Sequence, residues 1–323
     1  AIDKSFERRT FEVLPAGGME GRTRAMLKVE DGCVNFCTYC LIPYARGRVR
    51  SLPMDEAAKQ VKALREEGYR EIVVTGIEIS SYGSDFKDGT SLIDLLELIA
   101  REGGDMRIRL GSLEPRTITE EFCKRASKLP YLCPHFHLSM QSGCDATLKR
   151  MNRKYTTEEY EEALNILRKY YEHPALTTDV IAGFVGETEE EFEKTRAYLE
   201  KINLYEMHIF KYSVREGTRA QKMSGHVPEQ VKTERSEVLL SMAKRHKTAF
   251  EEWYVGRKEK VLLEEIVEKN GKKYFQGYTA HYVKVAVELT ENDTKLEQNE
   301  VIVVDIQGFI DENLLYGKVS IEF

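Results

Sequence analysis

Two observations predict an α/β protein, in which an open, partial parallel β/α barrel of about six units is followed by a small antiparallel β-barrel. Short apolar or β-branched runs alternate with amphipathic helical stretches through about the first 210 residues, which is typical of parallel strands joined by crossover helices. After Gly256 the pattern changes to short strands separated by turn residues. At 323 residues, the chain can bury a large core and a smaller second one.

The first barrel is predicted to contain six strands and five intervening helices. The predicted strands span 24–30, 71–75, 106–111, 135–140, 176–183 and 205–210. The predicted helices span 54–68, 91–101, 118–128, 157–171 and 187–202. Six units are too few to close an eight-unit barrel, so we expect the sheet to stay open. The chemistry of such a barrel lies in the loops at the C-terminal ends of its strands.

A long charged helix and five short strands are predicted for the remainder. The helix spans 227–253, and its apolar stripe is expected to consist of Val231, Val238, Leu239, Met242 and Phe250. The strands are "KVLLEEIV", "KYFQGYT", "YVKVAVEL", "EVIVVDI" and "NLLYGKVSIEF", which together predict an OB-like barrel. We therefore predict a first domain over 22–254 and a second domain over 255–323.

Composition and charge exclude some classes of protein. A net charge of −6 and a pI near 5.8 differ from the overall basic character of many nucleic-acid-binding proteins, so any RNA binding must come from local patches. No apolar run approaches the roughly 20 residues of a spanning helix, and the first ten residues lack an apolar signal core. Three of the six cysteines lie close together. This usage favours a cytoplasmic protein with metal-ligating thiols and no membrane association.

The stretch "GCVNFCTYCLIPYARGR" directly follows the first predicted strand. It places Cys33, Cys37 and Cys40 at the spacing C-x3-C-x2-C, from which three thiolates can converge on one iron–sulfur cluster or metal. A [4Fe-4S] cluster needs four ligands, so three cysteines leave one iron free to bind something else. A zinc site would need a fourth cysteine or histidine, and none lies between residues 29 and 51. Buried packing cysteines are the remaining alternative.

With Tyr39 before its last cysteine, this motif resembles that of radical S-adenosylmethionine (SAM) enzymes. The resemblance implies that the open iron binds the amino and carboxylate groups of SAM. It also implies that an electron from the reduced cluster cleaves SAM to a 5'-deoxyadenosyl radical. The cofactor supplies this chemistry, and the protein supplies position and exclusion of water.

The ends of later strands resemble SAM-binding segments of the superfamily. In "VVTGIEISSYG", residues Thr75, Gly76 and Glu78 resemble the segment that meets the SAM amino group, although family members often have Gly-Gly-Glu and Thr75 departs from this pattern. An ordinary turn at Gly76 is the alternative. In "DVIAGFVGETEEEF", Ile181 and Gly183 resemble the adenine-contacting stretch, in which glycine allows close backbone approach. The carboxylates of 187–193 are expected to be structural, at a helix start.

Further polar side chains follow the third and fourth strands. Ser112, Glu114 and Gln141 are candidates for contacts with the ribose or methionyl end of SAM, or alternatively for helix caps. Arg153 in "MNRKY" is a candidate partner for the SAM carboxylate because its fork of donors suits two oxygens, with solvent exposure as the alternative.

Five stretches, in order, resemble the methylthiotransferase branch of the radical SAM enzymes. They are "DGCVNFCTYCLIPYARGR", "LGSLEPRTI", "HLSMQSGCDATLKRMNRKYT", "TDVIAGFVGETEEEF" and "HIFKYSVREGTRA". Within the branch, "IPYARGR" and "FKYSVREGT" are most similar to enzymes that add a methylthio group to C2 of N6-threonylcarbamoyladenosine at tRNA position 37. The resemblance also implies that the second barrel is an RNA-binding TRAM domain.

Family members bind a second [4Fe-4S] cluster in an N-terminal domain that this sequence lacks. The resemblance therefore implies that residues 1–21 are a linker remnant and that the chain is a fragment able to cleave SAM but not to insert sulfur. The expected partners are a tRNA anticodon loop and an electron donor protein. The alternatives are methylthiolation of isopentenyl-adenosine-37 or of a ribosomal protein aspartate, and an iron–sulfur RNA-binding protein without enzymatic activity.

Candidate RNA contacts and the remaining cysteines and histidines leave alternatives open. Arg46, Arg48 and Arg50 are candidates for contacts with RNA phosphates, with solvated loop arginines as the alternative. In the second barrel, the main candidate patch for RNA contacts consists of Lys272, Lys273, Tyr274, Tyr278, Tyr282 and Lys284. Buried packing is favoured for Cys123, Cys133 and Cys144 over a second metal site. His135 and His137 alternate along one strand and so face the same side, where a core or strand-end role is favoured over ligation.

Overall fold

A computed structural model describes residues 5–7, 10–17, 23–289 and 296–320. Part of the predicted linker over 1–21 and the end of the last predicted strand therefore lie outside the described residues. The strands of the first barrel are β1 Arg24–Asp31, β2 Arg50–Ser51, β3 Glu71–Gly76, β4 Arg107–Leu110, β5 His135–His137, β6 Ala175–Ala182 and β7 Glu206–Lys211. The helices are α1 Ile42–Arg46, α2 Met54–Glu66, α3 Leu92–Gly103, α4 Glu120–Ala126, α5 Asp145–Met151, α6 Thr157–Tyr170, α7 Glu189–Ile202 and α8 Glu229–Glu252.

The predicted open parallel barrel is confirmed. Strands β1, β3 and β4 pair in parallel, as do β5, β6 and β7, and these six correspond to the six predicted strands. Parallel bridges from Ile108 to Leu132 and from Leu113 to Leu138 join the two sheets. The short strand β2 pairs antiparallel with β1 and was not predicted, since two residues carry no periodic signal.

Alternation along the strands separates an outer apolar face from an inner polar face. On the outer face, Leu27, Val74 and Leu110 are buried beneath the helices. On the inner face, the paired positions of β3 and β4 carry Glu71 and Arg107. Because side chains of successive residues point to opposite faces, the sheet packs against the helices on one side and keeps polar groups inside the barrel.

Helix ends follow the capping residues. Ser91 and Asp94 form a capping box, so α3 begins one residue after the predicted start. Thr119 accepts a hydrogen bond from the Phe122 amide, so α4 begins later than predicted. Helix α5, which was not predicted, ends at Asn152 in the left-handed conformation.

The buried face of α8 differs from the predicted apolar stripe. Leu239 and Met242 are buried as predicted, but Val238 is 44% exposed. Lys232 and Arg235 are buried instead. The prediction failed because charged side chains take part of this face, where ion pairs replace apolar contacts.

The second barrel is closed and consists of β8 Lys258–Lys269, β9 Lys272–Tyr278, β10 Lys284–Glu288, β11 Val301–Asp311 and β12 Leu314–Val319. Its strand order is β10-β12-β11-β8-β9. All five predicted strands are present, but β10 and β12 pair in parallel, so the barrel is not wholly antiparallel. Val261, Val285, Val304 and Leu315 lie in its core.

Buried arginines on β4 connect the two barrels. The Arg109 guanidinium donates to Glu71 over 2.7 and 3.1 Å and to the Ala280 carbonyl over 2.9 Å. Arg107 donates to the Lys260 carbonyl over 2.7 Å. Burial alone would raise the pKa of Glu71, but the adjacent Arg109 lowers the pKa below its ordinary value. Charge-assisted hydrogen bonds therefore form part of the contact between the barrels, beside the apolar cluster that includes Ala175 and Val261.

Among the described residues, no helix is long and apolar enough to cross a membrane.

Candidate metal centre

The three clustered cysteines lie in one loop at the C-terminal end of β1. The amide of Cys33 donates to the Gly47 carbonyl over 3.0 Å, which closes the base of the loop. Gly32 has φ +107°, and a Cβ there would lie 2.1 Å from the Arg48 carbonyl oxygen, so only glycine fits. All three thiols are partly exposed and none is in a disulfide. The loop thus leaves its sulfur atoms available as ligands.

Each of these sulfurs accepts a hydrogen bond from an N–H group. The Asn35 amide lies 3.5 Å from the Cys33 Sγ, and the Ile42 amide lies 3.4 Å from the Cys40 Sγ. The third donor is the Arg153 guanidinium, 3.3 Å from the Cys37 Sγ. Such donors stabilise thiolates around iron–sulfur clusters. This set of donors fits a cluster held by three thiolates.

Burial and like charges disfavour an unmetallated thiolate in this loop. Burial raises the pKa of Cys33 to about 12, and the Glu78 carboxylate and the other two thiols act in the same direction. The pKa of Cys40 is also raised, chiefly by burial and then by Cys37. The three sulfurs therefore interact electrostatically, and a bound cation would relieve the repulsion between their thiolate forms.

The C-terminal end of α5 and the residue that follows it hold the cysteine loop in place. The Thr38 hydroxyl donates to the Arg150 carbonyl over 2.9 Å. The Asn152 side-chain amide donates to the carbonyls of Asn35 and Phe36 over 3.2 and 2.9 Å. Sequence reasoning missed these contacts because the partners lie more than 100 positions apart. Only Asn152 could have indicated this segment from the sequence, and weakly, because asparagine is enriched at left-handed backbone positions such as the one it occupies.

Arg153 connects the cysteine loop to the third strand end. Its guanidinium donates to the Glu114 carboxylate over 2.6 Å, in addition to its contact with Cys37. The side chain is only 7% exposed, so the alternative of a solvated arginine is wrong. Burial raises the pKa of Glu114, and Arg153 partly offsets this effect. Glu114 makes no helix-cap hydrogen bond with its side chain.

Glu78 lies at the second strand end, next to a buried carboxyl group. Its side chain accepts from the Ser80 amide over 3.1 Å and from the Ser81 hydroxyl. Its backbone amide donates to Glu30 Oε2 over 2.6 Å. A Cβ at Gly76 would lie 2.9 Å from the Glu30 carbonyl oxygen, so this glycine permits close packing of β3 against β1. Thr75, in register with Lys28, precedes this turn.

Tyr39 packs against the end of β6. It lies with Ile181 and Phe184 in one apolar cluster, and its ring centroid is 6.0 Å from that of Phe184. Gly183 has φ +70°, and a Cβ there would lie 2.4 Å from the Lys232 Cγ. The cluster connects the cysteine loop to the segment predicted to contact adenine.

Gln141 and Ser112 are the remaining predicted cofactor residues. Gln141 has φ +71°, and its amide donates to the Asp179 carbonyl over 2.9 Å. Ser112 is exposed and lines a cavity of about 540 Å³ with Arg109 and His137. Glu78 and Glu114 line a different cavity of about 530 Å³. The structure thus brings Glu78, Glu114 and the cysteine loop together and places Ser112 apart.

A sequence model of the radical SAM superfamily matches residues 27–199, which is more than half of the chain. The chain belongs to the radical SAM superfamily. Members of this superfamily use a [4Fe-4S] cluster and SAM, and the donor set around Cys33, Cys37 and Cys40 fits such a cluster.

Curated relatives of this radical SAM protein are similar over most of its length. It is 42% identical over 269 residues to the threonylcarbamoyladenosine tRNA methylthiotransferase MtaB of Thermotoga maritima, covering 83% of this chain and 61% of that protein. Identity to the MtaB of Bacillus subtilis is 40%, covering 90% and 65%. Identity to the tRNA-2-methylthio-N(6)-dimethylallyladenosine synthase of Acetivibrio thermocellus is also 40%, covering 79% and 53%. The chain therefore spans between about half and two thirds of these relatives.

Solved structures share the fold. The methyltransferase TsrM of Kitasatospora setae, with cobalamin and a [4Fe-4S] cluster bound, matches with a TM-score of 0.52 and 16% identity, over 61% of this chain and 38% of that one. Coproporphyrinogen III oxidase (HemN) of Escherichia coli matches with a TM-score of 0.52 and 16% identity, over 70% and 53%. At 16% identity, the similarity to these structures is evidence for the fold only.

The predicted phosphate contacts near the cysteine loop need one correction. Arg50 is buried, donates to the carbonyls of Arg46 and Arg48 over 3.0 and 2.8 Å, and lies 3.4 Å from Asp31. It stabilises the loop and is not available to RNA. Arg46 and Arg48 are exposed and stay candidates.

The predicted RNA patch on the second barrel is partly occupied by contacts within the protein. Tyr274 is only 6% exposed, so the prediction that its ring is available to RNA is wrong. Lys272 pairs with Glu288 over 2.7 Å. The rings of Tyr278 and Tyr282 stack with centroids 4.6 Å apart. The patch is therefore smaller than the sequence indicates.

Buried packing is confirmed for the other three cysteines, Cys123, Cys133 and Cys144. Burial raises the pKa of Cys123 to about 12 and that of Cys133 to about 11, which keeps both as thiols at neutral pH.

Proposed function

We propose that this chain carries the radical SAM part of an enzyme that adds a methylthio group to C2 of N6-threonylcarbamoyladenosine at position 37 of tRNA. The observation that carries the proposal is the 40–42% identity to two MtaB proteins across more than 80% of the chain. The cysteine loop, with three N–H donors directed at its sulfurs, supports the chemistry that this activity requires.

We assign the cluster to Cys33, Cys37 and Cys40. The proposed SAM contacts are Tyr39, Thr75, Gly76, Glu78, Glu114, Gln141, Arg153, Ile181 and Gly183. Ser112 is left out of this set because it lines the other cavity. When bound, the reduced cluster and SAM supply the 5'-deoxyadenosyl radical of this superfamily.

The protein residues contribute position, charge and exclusion of water. Arg153 is held by Glu114 and directs its guanidinium at Cys37, which places a fixed positive charge beside the cluster ligands. The carboxylates of Glu78 and Glu114 are acceptors suited to the SAM amino group, since they line one cavity beside the cysteine loop. Tyr39 packs in one apolar cluster with Ile181 and Phe184, and apolar packing beside the loop disfavours water there.

The proposed partners are a tRNA anticodon loop, recognised as single-stranded RNA, and an electron donor protein that reduces the cluster. Arg46 and Arg48 are the proposed phosphate contacts, because both are exposed beside the cysteine loop. We place the protein in the cytoplasm, where both partners occur.

Methylthiolation of N6-dimethylallyladenosine, or isopentenyl-adenosine, is a second candidate. The 40% identity to the Acetivibrio thermocellus synthase supports it, because this value equals the identity to one of the MtaB proteins.

Mass spectrometry of tRNA nucleosides distinguishes the two substrates. Cells lacking the gene should lose 2-methylthio-N6-threonylcarbamoyladenosine, accumulate the unthiolated nucleoside, and regain the product on complementation. Complementation with the Cys37→Ala variant should fail. Retention of this nucleoside together with loss of the 2-methylthio-dimethylallyl nucleoside would establish the second candidate instead.

A further inference from the structure

Three side chains on neighbouring strands meet on the inner face of the β5-β6-β7 sheet in the first barrel. His137 lies on β5, Asp179 on β6 and His208 on β7, and Asp179 pairs in register with His208. Thr177 on β6 is in register with His137, so all of these residues point to the same face. They come from rigid strands and lie outside the cysteine loop.

The ligand atoms of these side chains lie close enough together to bind one metal ion. One ligand atom from each of the three lies within 4.8 Å of the other two. The His137 Nε2 is 3.4 Å from the Asp179 Oδ2. Bonds of about 2.0–2.2 Å at tetrahedral angles place neighbouring ligand atoms about 3.4 Å apart. The first two ligands thus already have the required separation.

The orientation of His137 is fixed from behind. Its Nδ1 lies 3.0 Å from the Thr177 hydroxyl, which leaves the Nε2 facing Asp179. Metal-ligating histidines commonly use their second nitrogen in this way, and that contact fixes the tautomer. Within the part of the chain that the structure describes, no hydrogen bond ends on the Asp179 carboxylate or the His208 ring.

The site is open to a ligand. The side chains of His137 and Asp179 are 14% and 29% exposed, and His208 is exposed. His137 also lines the cavity of about 540 Å³ between the two barrels. Three protein ligands would leave coordination positions free on this side.

We propose that His137, Asp179 and His208 form a binding site for a divalent transition-metal ion, such as Zn²⁺ or Fe²⁺. Two imidazoles and one carboxylate suit these ions and not Mg²⁺ or Ca²⁺, which prefer oxygen ligands. The site is separate from the cysteine cluster and goes beyond the proposed function. It differs from the role that the sequence favours for His137, because Asp179 and His208 lie 42 and 71 positions further along the chain.

Zinc binding by the full chain, with its iron–sulfur cluster reconstituted, tests the site. After dialysis against chelator-buffered Zn²⁺, the protein should hold a single zinc ion with its iron content unchanged. The extended fine structure of X-ray absorption at the zinc edge should show nitrogen or oxygen neighbours at about 2.0–2.1 Å. Sulfur neighbours at about 2.3 Å would place the zinc at the cysteines and overturn the proposal.

Variants locate the ion. His208→Gln and Asp179→Asn should each weaken zinc binding more than about 100-fold, and Thr177→Val about tenfold, the size of effect typical of outer-shell partners. The matched control is His226→Gln, which removes an exposed histidine outside the site and should bind zinc like the unmodified chain. Because His208 is exposed, the His208→Gln variant should fold normally. Equal melting temperatures of this variant and the unmodified chain in the absence of zinc would verify this. Unchanged zinc affinity in His208→Gln, or no zinc in the unmodified protein, would overturn the proposal.

Discussion

Glu30 is a buried carboxyl group beside the candidate site. It is fully buried, and its Oε2 accepts a hydrogen bond from the Glu78 amide. Among the described residues, no partner reaches its Oε1. Burial raises the pKa of Glu30 to about 8, and the nearby Glu78 and Asp31 carboxylates add to the effect. The raised pKa favours the protonated form of Glu30 at neutral pH. The sequence could not predict this effect, because it shows Glu30 only as a residue near a strand end.

Glu30 should make the protein less stable as pH rises from about 4.5 to about 8. In this window the folded state keeps a proton that the unfolded state releases, so the free energy of unfolding falls with pH. The loss attributable to Glu30 should reach at most about 5 kcal/mol, since each pKa unit between 4.5 and about 8 corresponds to about 1.4 kcal/mol. Denaturant unfolding at several pH values should show this slope in the unmodified chain and a smaller slope in Glu30→Gln. Equal slopes would show that Glu30 titrates normally.

At the scale of single elements, the cysteine loop depends on a backbone contact that a Cβ would prevent. Gly32→Ala should cost at least about 3 kcal/mol, because the new Cβ collides with the Arg48 carbonyl. Gly89→Ala is the matched control: Gly89 also has positive φ, +90°, but nothing lies within 4 Å of its Cβ position. It should cost only about 1 kcal/mol. Chemical denaturation compares the two, and equal losses would show that the contact with Arg48 is unimportant.

The elements also show which features the sequence can predict. Strands with alternating apolar residues, such as β1 and β6, were predicted to within a residue or two, because their outer faces must be buried. Helix α8 was placed correctly, but its buried face was predicted only in part: Leu239 and Met242 are buried, whereas Val238 is exposed. Arg235 is buried there because it pairs with Glu187 over 2.8 Å, and a partner 48 positions away is not visible in a local pattern.

For the whole molecule, the contact between the two barrels was not predicted. Arg107 and Arg109 contribute to it from β4, and the alternation of residues along a strand shows only that they face the inside of the first barrel, not which residues they contact there. Likewise, the order of strand ends placed Glu78 and Glu114 beside the cysteine loop, but it did not indicate that Ser112 faces a different cavity. The C-terminal edge of a parallel barrel follows from topology, while the direction of one exposed side chain does not.

Arg109 should be essential for the joint stability of the two barrels. Arg109→Ala leaves the buried Glu71 without its partner and should cost about 3–5 kcal/mol. Arg125→Ala is the control, since it removes a more exposed arginine from its pairs with Asp94 and Glu97 and should cost about 1 kcal/mol or less. Calorimetry should show a larger drop in melting temperature for Arg109→Ala than for Arg125→Ala. Equal melting temperatures for the two variants would show that the interface has little effect on stability.

We propose that Cys33, Cys37 and Cys40 together hold the cluster on which SAM cleavage depends. The most direct measurement compares Cys37→Ala with the unmodified chain and with Cys144→Ala, which changes a buried cysteine outside the loop. After anaerobic reconstitution, the unmodified chain and Cys144→Ala should hold about four irons and form 5'-deoxyadenosine from SAM and dithionite. Cys37→Ala should lose most of its iron and form no 5'-deoxyadenosine. An equal yield of 5'-deoxyadenosine from Cys37→Ala would contradict the claim.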